Sequence, residues 1–355
     1  MNRKFYRGAI PFIIAVLCFA ATSSATDPTA WFSRPIPMGV SIGNTPSNPY
    51  IYAGTAGLLV YQTSDPSKLY ILSNNHVLGA TGPDLCPGTA DPGTTWTIQP
   101  GTLDIGADPG NDPYYQVGIV NTFVPIKMGF RGKNLMDAAL AETSAQWASS
   151  NILGIGMPTA PAMEATVGQT VTKSGRTTGV TSGTVEALNV SLRVSYGRSC
   201  GKAKFVNQIS ITPGTFSDSG DSGSAILDSQ TLRPVALLFA GSDTNTVGSP
   251  MSTVLSTLGV SIHTNNLVAS DTLDEGVDMR QSLSLLRDIQ SRHEDALLSI
   301  TGVSGVGIGM SEAGDEPAFI VYIEKDQPAK YRKMIPDHLE GIPVRIIRSG
   351  IFKAY

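Results

Sequence analysis

The chain has 355 residues, carries a net charge of −4 and is only 15% charged. That balance excludes a broad phosphate-binding surface, so nucleic acid is not an expected partner. No segment approaches the roughly 20 apolar residues of a membrane-crossing helix, so no membrane span is expected either.

The chain begins with a basic start (Arg3, Lys4, Arg7), a thirteen-residue, mostly apolar run over Ala9–Ala21, and small residues at Ser23-Ser24-Ala25. This is the pattern of an export signal over residues 1–25, predicting a secreted or periplasmic protein. Cys18 follows Leu17, which is too large for a typical lipobox. Removal of the signal leaves Cys86 and Cys200, which an oxidising compartment allows to pair, although the sequence does not give their separation in space. Without a CxxC or a His/Cys cluster, no structural metal is expected.

From Trp31 to about Val268, short apolar runs such as "GLLVYQT", "KLYILSNN", "QVGIVNTFV" and "RPVALLFAG" alternate with Gly, Pro, Ser and Thr. Many short strands between turns predict a mainly β domain, either one large β unit or two small barrels. Asp84–Tyr115 holds five prolines and several aspartates and reads as a surface insertion without recognisable calcium-ligand spacing.

Of the 54 charged residues, 24 fall after residue 270, and this shift marks a boundary there. The expected organisation is a β domain over 26–268, a linker over 269–278 and a small module over 279–355. "MRQSLSLLRDIQSRHEDALLSI" has helical spacing, "GVSGVGIGM" and "PAFIVYIEK" read as strands, "PAKYRKMIPDHL" as a short helix and "IPVRIIRSG" as a last strand. The module is therefore α+β. Its Gly305-Gly307-Gly309 alternation lacks the GxGxxG spacing and the helix of a dinucleotide loop, so no cofactor is expected.

The stretch "GTFSDSGDSGSAILD" places serines at 217, 219, 222 and 224. A serine becomes a nucleophile only beside a base, and that base needs a group to orient it. Of the four histidines, His76 stands just past an apolar strand in "LYILSNNHVLG". Asp137, in "LMDAALAE", admits two readings, because "DAALAETSAQWA" would also make a good helix with Asp137 as its cap.

Together, "SNNHVL", "MDAALA" and "GDSGS" resemble the histidine, aspartate and serine motifs of the chymotrypsin-like (trypsin-fold) serine proteases, in that family's order. "KSGRTTGVTSGTV" (Lys173–Val185) resembles a strand-turn-strand of bacterial secreted members. The resemblance implies a two-barrel fold and a serine endopeptidase acting on polypeptides, with Ser222 as nucleophile, His76 as general base and Asp137 orienting it. Gly220 and Gly223 permit a tight turn in which the Gly220 and Ser222 amides form an oxyanion hole. Phe216 is implied at the floor of the specificity pocket, with Phe239 and Gly241 from "LFAGSD" at its wall. The absence of an obvious buried carboxylate there predicts small or apolar residues before the cut. Bacterial relatives pair the aspartate beside the nucleophile with a basic side chain, which here implies an ion pair between Lys173 and Asp221. Departures are Asn74 and Asn75 where small residues usually precede the histidine, and Val77 where a cysteine often follows it. The rival readings are a catalytically silent binding protein on the same fold and an esterase using the same triad. The module over 279–355 is expected to bind a protein partner or to restrain the protease.

Overall fold

The computed structural model describes residues 26–45, 52–81, 84–265 and 277–355. The expected export signal lies outside these residues, as does most of the expected linker. The architecture is mainly β: two barrel-like sheets are followed by a small α+β region whose strands prolong the second sheet.

The first sheet has eight strands, in the order Val260–Ile262, Leu58–Gln62, Asp65–Ser73, Ala139–Thr143, Gln116–Phe123, Trp96–Ile98, Ser41–Thr45 and Gly54–Thr55. Its core is the buried set Leu58, Leu59, Val60, Ile71, Leu72, Val120 and Leu140, drawn from four neighbouring strands. Two sequence expectations change here. "DAALAETSAQWA" is not a helix: Ala139–Thr143 lies between Asp65–Ser73 and Gln116–Phe123, with Ala139, Leu140 and Ala141 buried. Cross-strand pairing on both edges overrides the helical propensity of its alanines. Asp84–Tyr115 is more than a surface insertion, because Trp96–Ile98 joins Gln116–Phe123 to Ser41–Thr45 and buries Thr97 and Ile98.

Six strands of the second sheet close on themselves: Thr170–Gly175, Ala225–Asp228, Pro234–Gly241, Thr246–Pro250, Lys202–Thr212 and Gly179–Ser195, which pairs back to Thr170–Gly175. Closure removes the open edges that a flat sheet would present.

The C-terminal region keeps the predicted order: a helix over Val277–Ser299, strands Val303–Met310 and Pro317–Ile323, a one-turn helix Ala329–Arg332 and a strand Ile342–Arg348. Leu286, Ile289 and Leu297 of the long helix bury against Val306, Ile308, Phe319 and Val321. The region does not stand apart from the barrel, since Val303–Met310 pairs antiparallel with Gly179–Ser195. The glycine alternation makes this possible. A Cβ on Gly307 would meet Val190, and one on Gly309 would meet the Glu186 carbonyl and Ile320. Ile320, Tyr322 and Phe352 consequently share one buried cluster with Phe205 and Phe239 of the barrel.

Candidate active site

His76 sits in a single helical turn, Asn75–Leu78, directly after the strand Asp65–Ser73. The first amides of any helix lack intrahelical partners. Here they find Asp137: Asn75 N and His76 N donate to its Oδ1 at 2.6 and 3.2 Å. Asp137 thus does cap a helix, though not one of its own. Its other oxygen faces His76 Nδ1 at 2.6 Å and accepts from the Tyr196 hydroxyl at 2.8 Å. A carboxylate only accepts, so Nδ1 carries a proton directed at Asp137. Asp137 is fully buried. Asn74, one of the departures from the resemblance, donates from Nδ2 to the Asp137 carbonyl at 2.7 Å, and Asn75 Nδ2 donates to the Val124 carbonyl at 2.8 Å. The two amides lash the histidine turn to the aspartate loop.

Tyr196 was invisible to motif reading. It stands at the end of the long strand Gly179–Ser195, and burial together with the Asp137 charge pushes its phenol well above the usual tyrosine range. It remains a neutral donor.

Ser222 lies in a turn shaped by Gly220 (φ +99°) and Gly223 (φ +95°), conformations that favour glycine. A side chain on Gly223 would also strike Ser73 and the Thr55 carbonyl. Two bonds aim the amides of this turn. Thr177 Oγ1 donates to the Ser219 carbonyl at 2.6 Å, and Ser224 Oγ donates to the Asp221 carbonyl at 2.6 Å. In a trans peptide the N–H points opposite to its C=O, so the Gly220 and Ser222 amides are directed away from those anchors. Ser222 Oγ donates to the Phe239 carbonyl at 3.3 Å.

Lys173 and Asp221 lie beneath the turn, both fully buried, with Nζ 3.3 Å from Oδ2. The Asp221 carboxylate also accepts from the amides of Thr177 (2.8 Å), Thr178 (3.1 Å) and Asp218 (3.0 Å) and from the Thr178 hydroxyl (2.7 Å). Lys173 donates to Thr178 Oγ1 and to the Gly179 carbonyl. Burial holds the Lys173 ammonium below the ordinary lysine range, and the Asp221 charge opposes that shift.

The pocket residues divide. Gly241 lines a cavity together with Ser217, Ser219 and Tyr355. Phe216 is buried in the cluster against which Tyr355 packs. The Phe239 ring instead turns into the core, 4.7 Å from that of Phe205, so Phe239 offers the site its carbonyl and no side-chain wall. Cys86 and Cys200 form a disulfide that ties the loop after the histidine turn to the turn between Gly179–Ser195 and Lys202–Thr212. Among the described residues, no three His, Cys, Asp or Glu side chains converge as a metal site would need.

The chain's last strand, Phe352–Ala354, enters this cleft and pairs with both Gly179–Ser195 and Pro234–Gly241. The Tyr355 carbonyl oxygen lies 2.9 Å from His76 Nε2. His76, Tyr196, Gly220, Ala354 and Tyr355 line a common cavity. His76 and Gly220, two residues before Ser222, thus line one cavity, while Ser222 Oγ is bonded to the Phe239 carbonyl rather than to the imidazole.

No family model matches the chain, and no curated protein does. Among solved structures, Thermobifida fusca Protease A is similar at 19% identity over 65% of this chain and 99% of that chain, with a TM-score of 0.43. A Nocardiopsis protease is similar at 17% identity over 64% and 99%, also with a TM-score of 0.43. A Cellulomonas bogoriensis chymotrypsin is similar at 19% identity over 65% and 100%, with a TM-score of 0.41.

Proposed function

We propose that the protein is a serine-type endopeptidase that hydrolyses polypeptides through Ser222, His76 and Asp137. The observation that carries this reading is the contact of His76 Nδ1 with fully buried Asp137, while its Nε2 faces the cleft lined by Gly220. In the reaction, the Ser222 hydroxyl leaves the Phe239 carbonyl, gives its proton to His76 Nε2 and attacks the scissile carbonyl. The developing oxyanion is held by the Gly220 and Ser222 amides, and loss of one such donor typically costs about 10²–10³ in rate. His76 then protonates the leaving amine, and water releases the acyl group from Ser222 by the reverse sequence. Asp137 stays ionised throughout and holds the imidazole by its Nδ1–H. The Lys173–Asp221 pair holds in place the turn that carries Ser222. The Cys86–Cys200 disulfide favours an oxidising, extracytoplasmic compartment.

A fluorophosphonate probe tests the reading: it should label Ser222 and leave Ser222→Ala unlabelled and folded. Absence of labelling in chains whose cleft has been opened points to a binding protein. Labelling without cleavage of any peptide points to an esterase.

A further inference from the structure

The final residues of the chain lie where a substrate for the proposed reaction would lie, and they do so in a definite register. Ala354 pairs with Ala240, and Lys353 with Gly241, antiparallel to the strand that runs on from the carbonyl accepting the Ser222 hydroxyl. On the other side, Phe352 and Lys353 pair with Val194 and Ser195. An extended segment held by main-chain bonds, with alternate side chains falling into pockets, is the general mode of peptide recognition by strand addition. The next residue, Tyr355, places its carbonyl against His76 Nε2, the nitrogen that would receive the serine proton.

The Tyr355 side chain lies against Gly241 and forms one wall of the neighbouring cavity. It packs on the cluster containing Phe216, and Ser217 lines the same cavity. A Cβ on Gly241 would collide with the phenol hydroxyl and ring, so glycine there is what opens room for an aromatic side chain. Asp218 and Asp243 line the same cavity and disfavour an acidic occupant. Phe352 anchors the segment: it is fully buried and stands edge-on to Tyr322 at 5.6 Å.

We propose that Lys353-Ala354-Tyr355 occupies the cleft as the three residues before a scissile bond, so that the enzyme prefers an aromatic residue before the cut and holds its own cleft closed with this segment. The proposal rests on the endopeptidase reading. With the Tyr355 carbonyl in place, His76 Nε2 is not open to the Ser222 hydroxyl, and an incoming peptide must displace the segment first. Of the small or apolar side chains that the sequence suggests, the pocket therefore selects the large aromatic ones.

The test compares the unaltered chain, Tyr355→Gly and a chain lacking residues 351–355. Each is exposed to phosphonate probes carrying benzyl, methyl, carboxylate or amine side chains. Both altered chains should label at Ser222 at least tenfold faster than the unaltered chain, and the benzyl probe should react fastest. Equal labelling rates in all three chains, or faster reaction of another probe, overturn the proposal while leaving the endopeptidase reading intact. Failure of every chain to label with any probe removes that reading. Calorimetry on Ser222→Ala lacking residues 351–355 then decides occupancy without chemistry. Acetyl-Ile-Phe-Lys-Ala-Tyr should bind at least tenfold more tightly than the same peptide ending in Gly, and equal or absent binding overturns the proposal.

Discussion

Replacing Lys173 by methionine removes one charge from beneath the Ser222 turn and preserves most of the side-chain volume. At 3.3 Å, two unit charges in an effective dielectric of about 20 attract by about 5 kcal/mol. The pair has already lost its hydration, so this attraction is no measure of net stability. What decides the outcome is the partner left behind. Asp221 would keep three amides and one hydroxyl as donors but face no cation, and breaking a buried pair in this way typically costs about 3–5 kcal/mol. For a chain of this size, that corresponds to a fall in melting temperature of roughly 4–7 °C. Urea unfolding and thermal scans on the unaltered chain, Lys173→Met, Asp221→Leu and the double variant form a complete cycle. The double variant should recover most of the loss, because it leaves no uncompensated charge. A loss below about 1 kcal/mol in Lys173→Met, or a double variant no more stable than it, would refute the argument that this pair holds the turn.

Tyr196→Phe deletes one donor to the Asp137 carboxylate and should cost about 1.5–3 kcal/mol of stability, measured by urea unfolding, since hydrogen bonds to charged groups are the stronger ones. In an opened cleft the same change should lower kcat more than it raises KM, because the phenol touches the group that orients His76. Cys86→Ser in the unreduced chain should cost about 4–5 kcal/mol, as expected for a cross-link spanning 114 residues, and added dithiothreitol should bring the unaltered chain to the same unfolding midpoint. Alkaline pH should weaken docking of the C-terminal segment. Burial, with Asp218, Asp221 and Asp243 nearby, pushes the docked Tyr355 phenol up to about 12 despite the opposing influence of Ser217, against about 10 when free. The neutral form is thus the one favoured in the docked state: the contribution of the phenol to docking is fully present below pH about 10 and is lost as pH rises toward 12. Difference absorbance at 295 nm between the unaltered chain and Tyr355→Phe follows that step.

Local pattern determined much of this protein. The alternation of short apolar runs and turn residues specified strands, the 3.6-residue spacing specified the helix that begins at Val277, and glycines at 220 and 223 specified a turn only glycine accepts. These are short-range consequences of side-chain period and backbone freedom, and they can be read without knowing what lies opposite. His76, Asp137 and Ser222 could be picked out because each sits in a motif of its own. Tyr196 could not, since its importance comes from a carboxylate 59 positions away in the chain. Asp137 shows the limit of propensity: its alanine-rich flank favours a helix, but two neighbouring strands claim it, and its capping capacity passes to the turn holding His76. The change in charge near residue 270 marks where composition shifts but not where packing stops. Only the folded sheet shows the Gly305-Gly307-Gly309 face closing against the barrel and carrying the chain end back into the cleft. That return depends on contacts across more than 100 residues, and no local periodicity encodes them.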